Sequence, residues 1–386
     1  MKKVLLTALL LCLSLAGGAQ IVNRMKVDSD TFKRYAWGRM QLFSQDNLPI
    51  ADSLYRVGCE KNSYKLRCLG LSLEMPVRYA MGDTVRMKEC VMEVKSIFDE
   101  YGVPKDVLPF YYSTVHEYCQ YLISLGKAKD AMLEAREMRR RAEKDRSDLG
   151  KMYSCRIVGL IQSFRSNPWE AVKNFTMAAD FCTRAHAQQE LPNLYLLIAQ
   201  EYTKTRDFIK ASDYCAMAEE YQEFFPSLPV KCLMTRGFLY NAQENWEAFW
   251  YCYDTLMENP LYTAQAEKES RYELDVCYYI SKGLFDKALE RADMLETPKV
   301  RHERKHGIYA AKGAYSSAYT ELASLLEEKD GIYIRVQNED LAVLDAEMNN
   351  AQLREEAQRL KAQNQMTVML GFLVMFAIAF LAILLS

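Results

Sequence analysis

The sequence has little of what enzymes and nucleic-acid-binding proteins usually display. Only four of its 386 residues are histidine, and we find no glycine-rich phosphate loop, no Ser/His/Asp order of a hydrolase and no cluster of paired carboxylates. The formal charge of −2 and the pI of about 6.2 give no basic field for nucleic acid. We therefore expect no catalysis by this chain, no cofactor and no catalytic metal.

The cysteines also lack the spacing of a metal or redox motif. Of the 11 cysteines, those beyond the N-terminal region are scattered singly, without any Cys-x-x-Cys pair. An exported protein raises the question of disulfides, but several of these cysteines fall in helical apolar patterns, where a free thiol acts as a small hydrophobe. We expect mostly buried thiols, with Cys59 and Cys68 as the pair most easily joined.

Apolar runs lie at both ends of the chain. Lys2 and Lys3 precede a run of about 12 apolar residues, and the small residues 16–19 offer a cleavage site, which is the pattern of a secretory signal. Residues 366–386 carry no charge and no proline, and as a helix they would span roughly the 30 Å of a bilayer core. The sequence therefore predicts a signal peptide at 1–19 and a transmembrane helix at 366–386.

These two segments predict a topology. Export followed by a stop-transfer helix places residues 20–365 in the periplasm, anchored to a bacterial inner membrane by a single span. Stop-transfer helices usually carry Lys or Arg on the cytoplasmic side, whereas here Arg359 and Lys361 precede the span and no basic residue follows it. We therefore expect the chain to be the front part of a longer gene product.

Six-residue motifs recur between the two ends at intervals of 30 to 44 residues. GLFDKA (283–288) and GAYSSA (313–318) share the pattern Gly-x-aromatic-x-x-Ala, and a tyrosine precedes each glycine by four residues, at Tyr279 and Tyr309. The glycine permits a tight turn, and the alanine lets a second helix approach closely. Related motifs are GKAKDA (126–131), SNPWEA (166–171), RDFIKA (206–211) and ENWEAF (244–249), with weaker ones at DNLPIA (46–51) and GDTVRM (82–87).

These motifs resemble the tetratricopeptide repeat (TPR) family, whose helix-turn-helix unit has a small residue within the first helix, Gly-x-Tyr-x-x-Ala at the turn and a proline at its end. Gly159, Ala199 and Gly237 match the mid-helix position, and Pro260 and Pro298 fall near the terminal one. The resemblance covers residues 32 to 325. It implies an all-α fold, a TPR-like α-solenoid of about eight helical hairpins in a domain at 20–325. An irregular helical bundle is the alternative.

A stalk follows the repeats. Neither glycine nor proline interrupts residues 332–370. Apolar residues recur there at spacings of three and four, with one change of phase. This pattern predicts an interrupted coiled-coil-like helix at 326–365 that is continuous with the membrane span. The first phase contains Leu341, Leu344, Met348 and Ala351, and the second contains Leu353, Ala357 and Leu360.

The order of these parts, with Lys329, Asp330 and Tyr333 between repeats and stalk, is similar to bacterial membrane-anchored TPR sensors. In that family a histidine-kinase module or a helix-turn-helix regulator follows the span. The resemblance implies an input module that binds a protein or peptide and takes part in transmembrane signal transduction of the two-component type. It also implies that the cytoplasmic output domain is missing from this sequence. The stalk allows a homodimer. A passive TPR scaffold for envelope protein assembly is the competing hypothesis.

The alignment of the repeats also predicts a ligand groove. Most tyrosines should be core, because aromatic residues at helical spacing bury the contacts between stacked hairpins, and a different phase of each first helix should face the concave side. That set is mixed and nearly neutral, which favours a peptide or protein ligand. The predicted groove residues are His116, Gln120, Arg156, Gln200, Phe238, Asn241 and Glu273.

One motif suggests a different class of function. The segment HERKH is a formal match to His-Glu-x-x-His, in which His302 and His306 could hold zinc and Glu303 could act as the base of a metalloprotease. Arg304 and Lys305 would place two cations beside the metal. The competing explanation, a solvated face on the first helix of a repeat, accounts for the same residues, so the peptidase is the third hypothesis.

Overall fold

The computed structural model describes residues 43–101 and 108–336 apart from 224 and 226, with single positions between 30 and 38 and short stretches between 350 and 369. Throughout these residues the regular structure is helical and no strand occurs, which confirms the predicted all-α class. The chain divides into two compact units, Met1–Arg335 and Val336–Ser386. This division lies ten residues beyond the predicted start of the stalk, at the end of a long helix.

Helices joined by short turns follow one another along the first unit. In the described part, α2 pairs with α3, α4 with α5, α6 with α7, α8 with α9, α10 with α11 and α13 with α14. Hydrogen bonds from two histidines of α15 pair it with α16, so that each pair is one helical hairpin. The helices are α1 Asn47–Glu60, α2 Tyr64–Met81, α3 Thr84–Tyr101, α4 Leu108–Ser124, α5 Ala128–Lys144, α6 Asp148–Phe164, α7 Pro168–Arg184, α8 Leu191–Lys204, α9 Phe208–Glu219, α10 Leu228–Ala242, α11 Trp246–Met257, α12 Tyr262–Gln265, α13 Lys268–Ser281, α14 Phe285–Asp293, α15 Pro298–Ala311 and α16 Tyr315–Val336.

The turn inside each hairpin ends the first helix with a residue in the left-handed conformation. At the α13–α14 turn Gly283 has φ 70°, and the Leu284 N–H donates to the Tyr279 carbonyl at 2.8 Å, which is the C-cap geometry that satisfies the last free carbonyls of a helix. The weak motif at 46–51 differs, because Asp46 has φ −62°. The motif residues with positive φ are Gly82, Gly126, Ser166, Arg206, Glu244, Gly283 and Gly313.

The last residue of each motif lies where the two helices of a hairpin touch. Ala131, Ala171, Ala211 and Ala288 are fully buried, and so is the larger Phe249. The mid-helix glycine also has a steric reason, since a Cβ at Gly159 would lie 2.4 Å from the ring of Phe175. The motifs therefore mark sharp turns followed by close helix contact.

The cysteines of this unit pack as apolar side chains. All ten that the structure describes are free thiols, and only Cys59 is exposed, so the expectation of mostly buried thiols is confirmed and Cys59 is not bonded to Cys68. Burial raises the pKa of Cys182 and of Cys215 to about 12, which keeps both thiols protonated and unreactive.

The predicted membrane segments fall almost wholly beyond the described residues. Residues 1–19 are not among them, and of 366–386 only Met366 and Met369 are. Within the part that is described, no helix has both the length and the apolar character needed to cross a membrane.

Candidate functional site

Side chains far apart in sequence meet inside the first unit. The hydroxyl of Tyr79, near the end of α2, donates a short hydrogen bond to the carboxyl of Glu267, directly before α13. Lys299 Nζ at the start of α15 donates to the Phe164 carbonyl at 2.7 Å and to Ser166 Oγ at 3.0 Å, at the end of α6. These contacts connect the hairpins α2–α3 and α6–α7 to the hairpins α13–α14 and α15–α16, so the stacked hairpins curve back on themselves.

A cavity of about 630 Å³ lies between these two contacts. Its wall comes from the first helices of six hairpins, α2, α4, α6, α8, α13 and α15. The turn between α6 and α7 and the residues directly before α13 and α15 complete it. Ile123, Leu160, Phe164 and Val300 supply apolar surface, while polar and charged side chains supply the rest. The wall is thus amphipathic.

Most charges in the wall are paired with one another. Glu201 Oε1 accepts hydrogen bonds from Lys204 Nζ at 2.6 Å and Ser163 Oγ at 2.7 Å, while its enclosed Oε2 has no partner. Glu273 accepts from the Arg304 guanidinium at 2.5 and 3.1 Å. The wall therefore offers polar groups without a strong field of one sign.

Glu267 is the carboxyl with the most perturbed acidity in this region. Burial raises its pKa to about 7, the nearby carboxylates of Glu269, Glu117 and Glu273 act in the same direction, and only the hydrogen bond from Tyr79 opposes them. Removing a carboxyl from water disfavours its charged form, and like charges add to this effect. Glu267 is therefore poised between its two protonation states near neutral pH.

Two of the predicted groove residues, Gln120 and Glu273, line the cavity. His116 does not, because it is only 2% exposed and its ring packs 5.7 Å from that of Tyr153. Burial lowers the pKa of His116. Its place in the core corrects the prediction of a groove-facing histidine. Alignment of the repeats indicates on which side of its helix a residue lies, but not how deeply the neighbouring hairpins bury that side.

The remaining predicted groove residues are half-buried and lie outside the cavity wall. Arg156 donates to Glu190 at 3.0 Å, and Phe238 packs against a core cluster that contains Leu274. Gln200 and Asn241 are likewise partly covered.

Three further residues that flank the cavity carry no signal within their own repeats, namely Tyr79, Glu267 and Lys299. Tyr79 and Glu267 are 188 positions apart, and a motif within one repeat carries no signal for a contact between distant hairpins. A superhelical closure could be found from sequence only if the rotation between successive hairpins were known.

The histidines of the HERKH segment face α16. His302 Nδ1 lies 2.7 Å from Glu321 Oε2, and His306 Nδ1 lies 3.0 Å from the Ala318 carbonyl oxygen. The prediction of a solvated face is wrong here, because both side chains are half-buried against α16. No group of three or more His, Cys, Asp or Glu side chains that could hold a metal occurs among the described residues.

Comparison with known proteins finds no protein-family model that matches the chain and no curated protein that matches it. The fold defines the chain as an all-α protein of stacked helical hairpins. The resemblance of the motifs to TPR proteins stays a prediction.

Proposed function

We propose that the chain is the periplasmic input module of a membrane-anchored TPR sensor, and that the cavity between its first helices binds a short segment of a protein or peptide. The observation that carries the proposal is the cavity wall, which is drawn from six hairpins and mixes apolar with paired charged groups. A volume of about 630 Å³ falls within the roughly 300–1,000 Å³ of ligand sites. A few residues of an extended peptide fit such a volume, and a folded domain does not.

The stalk supports a second part of the proposal, transmission toward the membrane. Leu353 and Leu360, one heptad apart, are 62% and 61% exposed, and such a seam suits a partner helix from a second copy. Binding in the cavity changes the curvature of the hairpins, and the stalk carries this change to the span at 366–386. Inserting a flexible glycine-rich segment at Asn349 tests the stalk, since unchanged signalling by the full gene product would contradict a rigid helix.

Peptide binding is tested by selecting a displayed random peptide library on the purified full-length chain. We expect enriched peptides whose affinity, measured by fluorescence anisotropy, falls at least tenfold in Glu303→Lys, because Glu303 is exposed and lines the cavity. Glu290→Lys is the matched control, with the same charge change on α14 outside the cavity. No enrichment, or equal loss in both variants, would contradict a peptide site in the cavity.

The passive scaffold remains the second candidate, and the predicted topology favours it if translation stops at Ser386. Reading the gene beyond that codon separates the two. A kinase or DNA-binding module in frame supports the sensor, whereas an immediate stop codon supports the scaffold.

A further inference from the structure

The contact between Tyr79 and Glu267 joins two hairpins through residues that are 188 positions apart in the sequence. It lies beside two cavities, the large one and a smaller one that also contains Tyr121 and Met294 in its wall. Tyr79 is half-buried, and its hydroxyl donates to Glu267 Oε1. The contact thus holds α2 against the residue that begins α13, at the edge of the large cavity.

A second hydrogen bond to the Glu267 carboxyl, among the described residues, also comes from a neutral group. Ser270 Oγ donates to Glu267 Oε2 at 3.4 Å. The cations near this carboxyl are engaged elsewhere, Lys268 with Glu296 at 2.9 Å and Arg304 with Glu273.

Carboxylates surround Glu267 on several elements. Glu117 projects from α4, with His116 Nδ1 at 3.9 Å. From α13 come Glu273 and Glu269, of which Glu269 accepts from the Thr297 N–H at 2.8 Å and from the Thr297 hydroxyl at 2.9 Å. In the described part of the chain, an ionised Glu267 in the closed arrangement is therefore surrounded by like charge and accepts hydrogen bonds from a phenol and a hydroxyl.

We propose that the pair Tyr79–Glu267 is a releasable clasp across the hairpins, which closes one side of the cavity while the Glu267 carboxyl is protonated and opens it when the carboxyl ionises. Opening separates α2 from the start of α13 and exposes the carboxyl to water, where its charge is stable. This inference goes beyond the proposed function, because it does not depend on which ligand the cavity takes.

The sign of the pH dependence follows from the acidity of Glu267. Its pKa is about 7 in the closed arrangement, against an ordinary value of 4.5, so the protonated form favours closure. That preference is fully present below about pH 4.5 and is lost as the pH rises through 7. The difference between the two pKa values corresponds to a shift on the order of 300-fold in the ratio of closed to open protein.

Distances between spin labels test the clasp in the full-length chain. Val85→Cys and Met294→Cys place labels on either side of the contact, where the native side chains are 72% and 51% exposed, in a Cys59→Ser background that removes the exposed native thiol. We expect one short distance at pH 5.5 and an additional longer distance at pH 8.5. A single distance at both pH values would overturn the proposal.

Two variants assign the effect to this pair. Glu267→Gln cannot ionise, so we expect the short distance at both pH values; Tyr79→Phe removes the donor, so we expect the longer distance to be more populated at both. Glu290→Gln is the matched control, since this exposed carboxylate on α14 lies outside the cavity wall and should leave the wild-type response unchanged. A wild-type pH response in Glu267→Gln, or the loss of that response in Glu290→Gln, would overturn the assignment.

Discussion

The middle hairpins (α6–α9) and the terminal hairpins (α13–α16) share one turn geometry but differ in how they are packed. In the middle hairpins Phe175 is fully buried in a cluster with Ile198 and Ala211. In the terminal hairpins Ile308 is the only residue of α15 that is fully covered, and Lys312 is paired with Asp286 at 2.8 Å. Of these two regions, the terminal hairpins match the motif better and have the smaller set of fully buried apolar side chains.

This difference shows what the motif encodes. Gly283 and Gly313 give the terminal turns an unstrained left-handed residue, whereas Ser166 and Arg206 adopt the same conformation in the middle turns with φ 61° and 60°. A side chain in this region costs roughly 1–2 kcal/mol. The middle hairpins tolerate the strained turns because a larger core stabilises them. A close match to the motif therefore indicates which residue forms the turn, and not how stable the hairpin is.

Phe175→Ala should have the largest effect, because it empties the core of the middle hairpins beside Gly159. We expect a loss of about 3–5 kcal/mol in the free energy of unfolding, measured by urea denaturation, with hydrogen exchange to locate the weakened hairpins. Trp169→Ala on the same helix is the control, since Trp169 is 60% exposed, and it should cost far less. Equal costs would contradict the difference in packing.

Ile308→Ala tests the terminal hairpins. We expect about 2 kcal/mol, the low end for such a truncation, because the flexible stems of nearby charged side chains can fill part of the space. Hydrogen exchange should show the loss confined to α13–α16. A cost above that of Phe175→Ala would reverse the comparison.

Gly283→Ala tests the turn separately from the core. No atom lies within 4 Å of the added Cβ, but φ is +70°, so we expect a loss of about 1 kcal/mol from backbone strain alone. Gly307→Ala is the matched control, because Gly307 also has open space around its Cβ position but lies inside α15, where alanine favours the helix by up to about 1 kcal/mol. The two thermal midpoints should move in opposite directions.

Arg206→Gly should have the smallest effect and the opposite sign. Glycine relieves the strain of φ 60° but increases the conformational freedom of the unfolded chain, so we expect a net gain below about 1 kcal/mol. The measurement is the midpoint of urea unfolding. A loss of stability would show that the exposed Arg206 side chain contributes contacts that outweigh the strain.

Particular residues show how far the sequence carries a prediction of the site. Gln120 and Glu273, two of the residues predicted for a ligand groove, line the cavity, because the phase of a first helix is a local property that alignment of repeats captures. His116 lies in the core, since its depth depends on how the neighbouring hairpin covers it. Glu267 was not predicted, because a short segment between α12 and α13 has no equivalent in the repeat.

The sequence by itself determined the all-α class, the positions of the turns and the burial of the thiols. These follow from local chemistry, namely which residue can adopt a left-handed turn and which small side chain permits helices to touch. Only the tertiary structure decided that Tyr79 meets Glu267 and that Lys299 meets the end of α6. Such contacts depend on small rotations that accumulate over successive hairpins, and no single repeat encodes their sum.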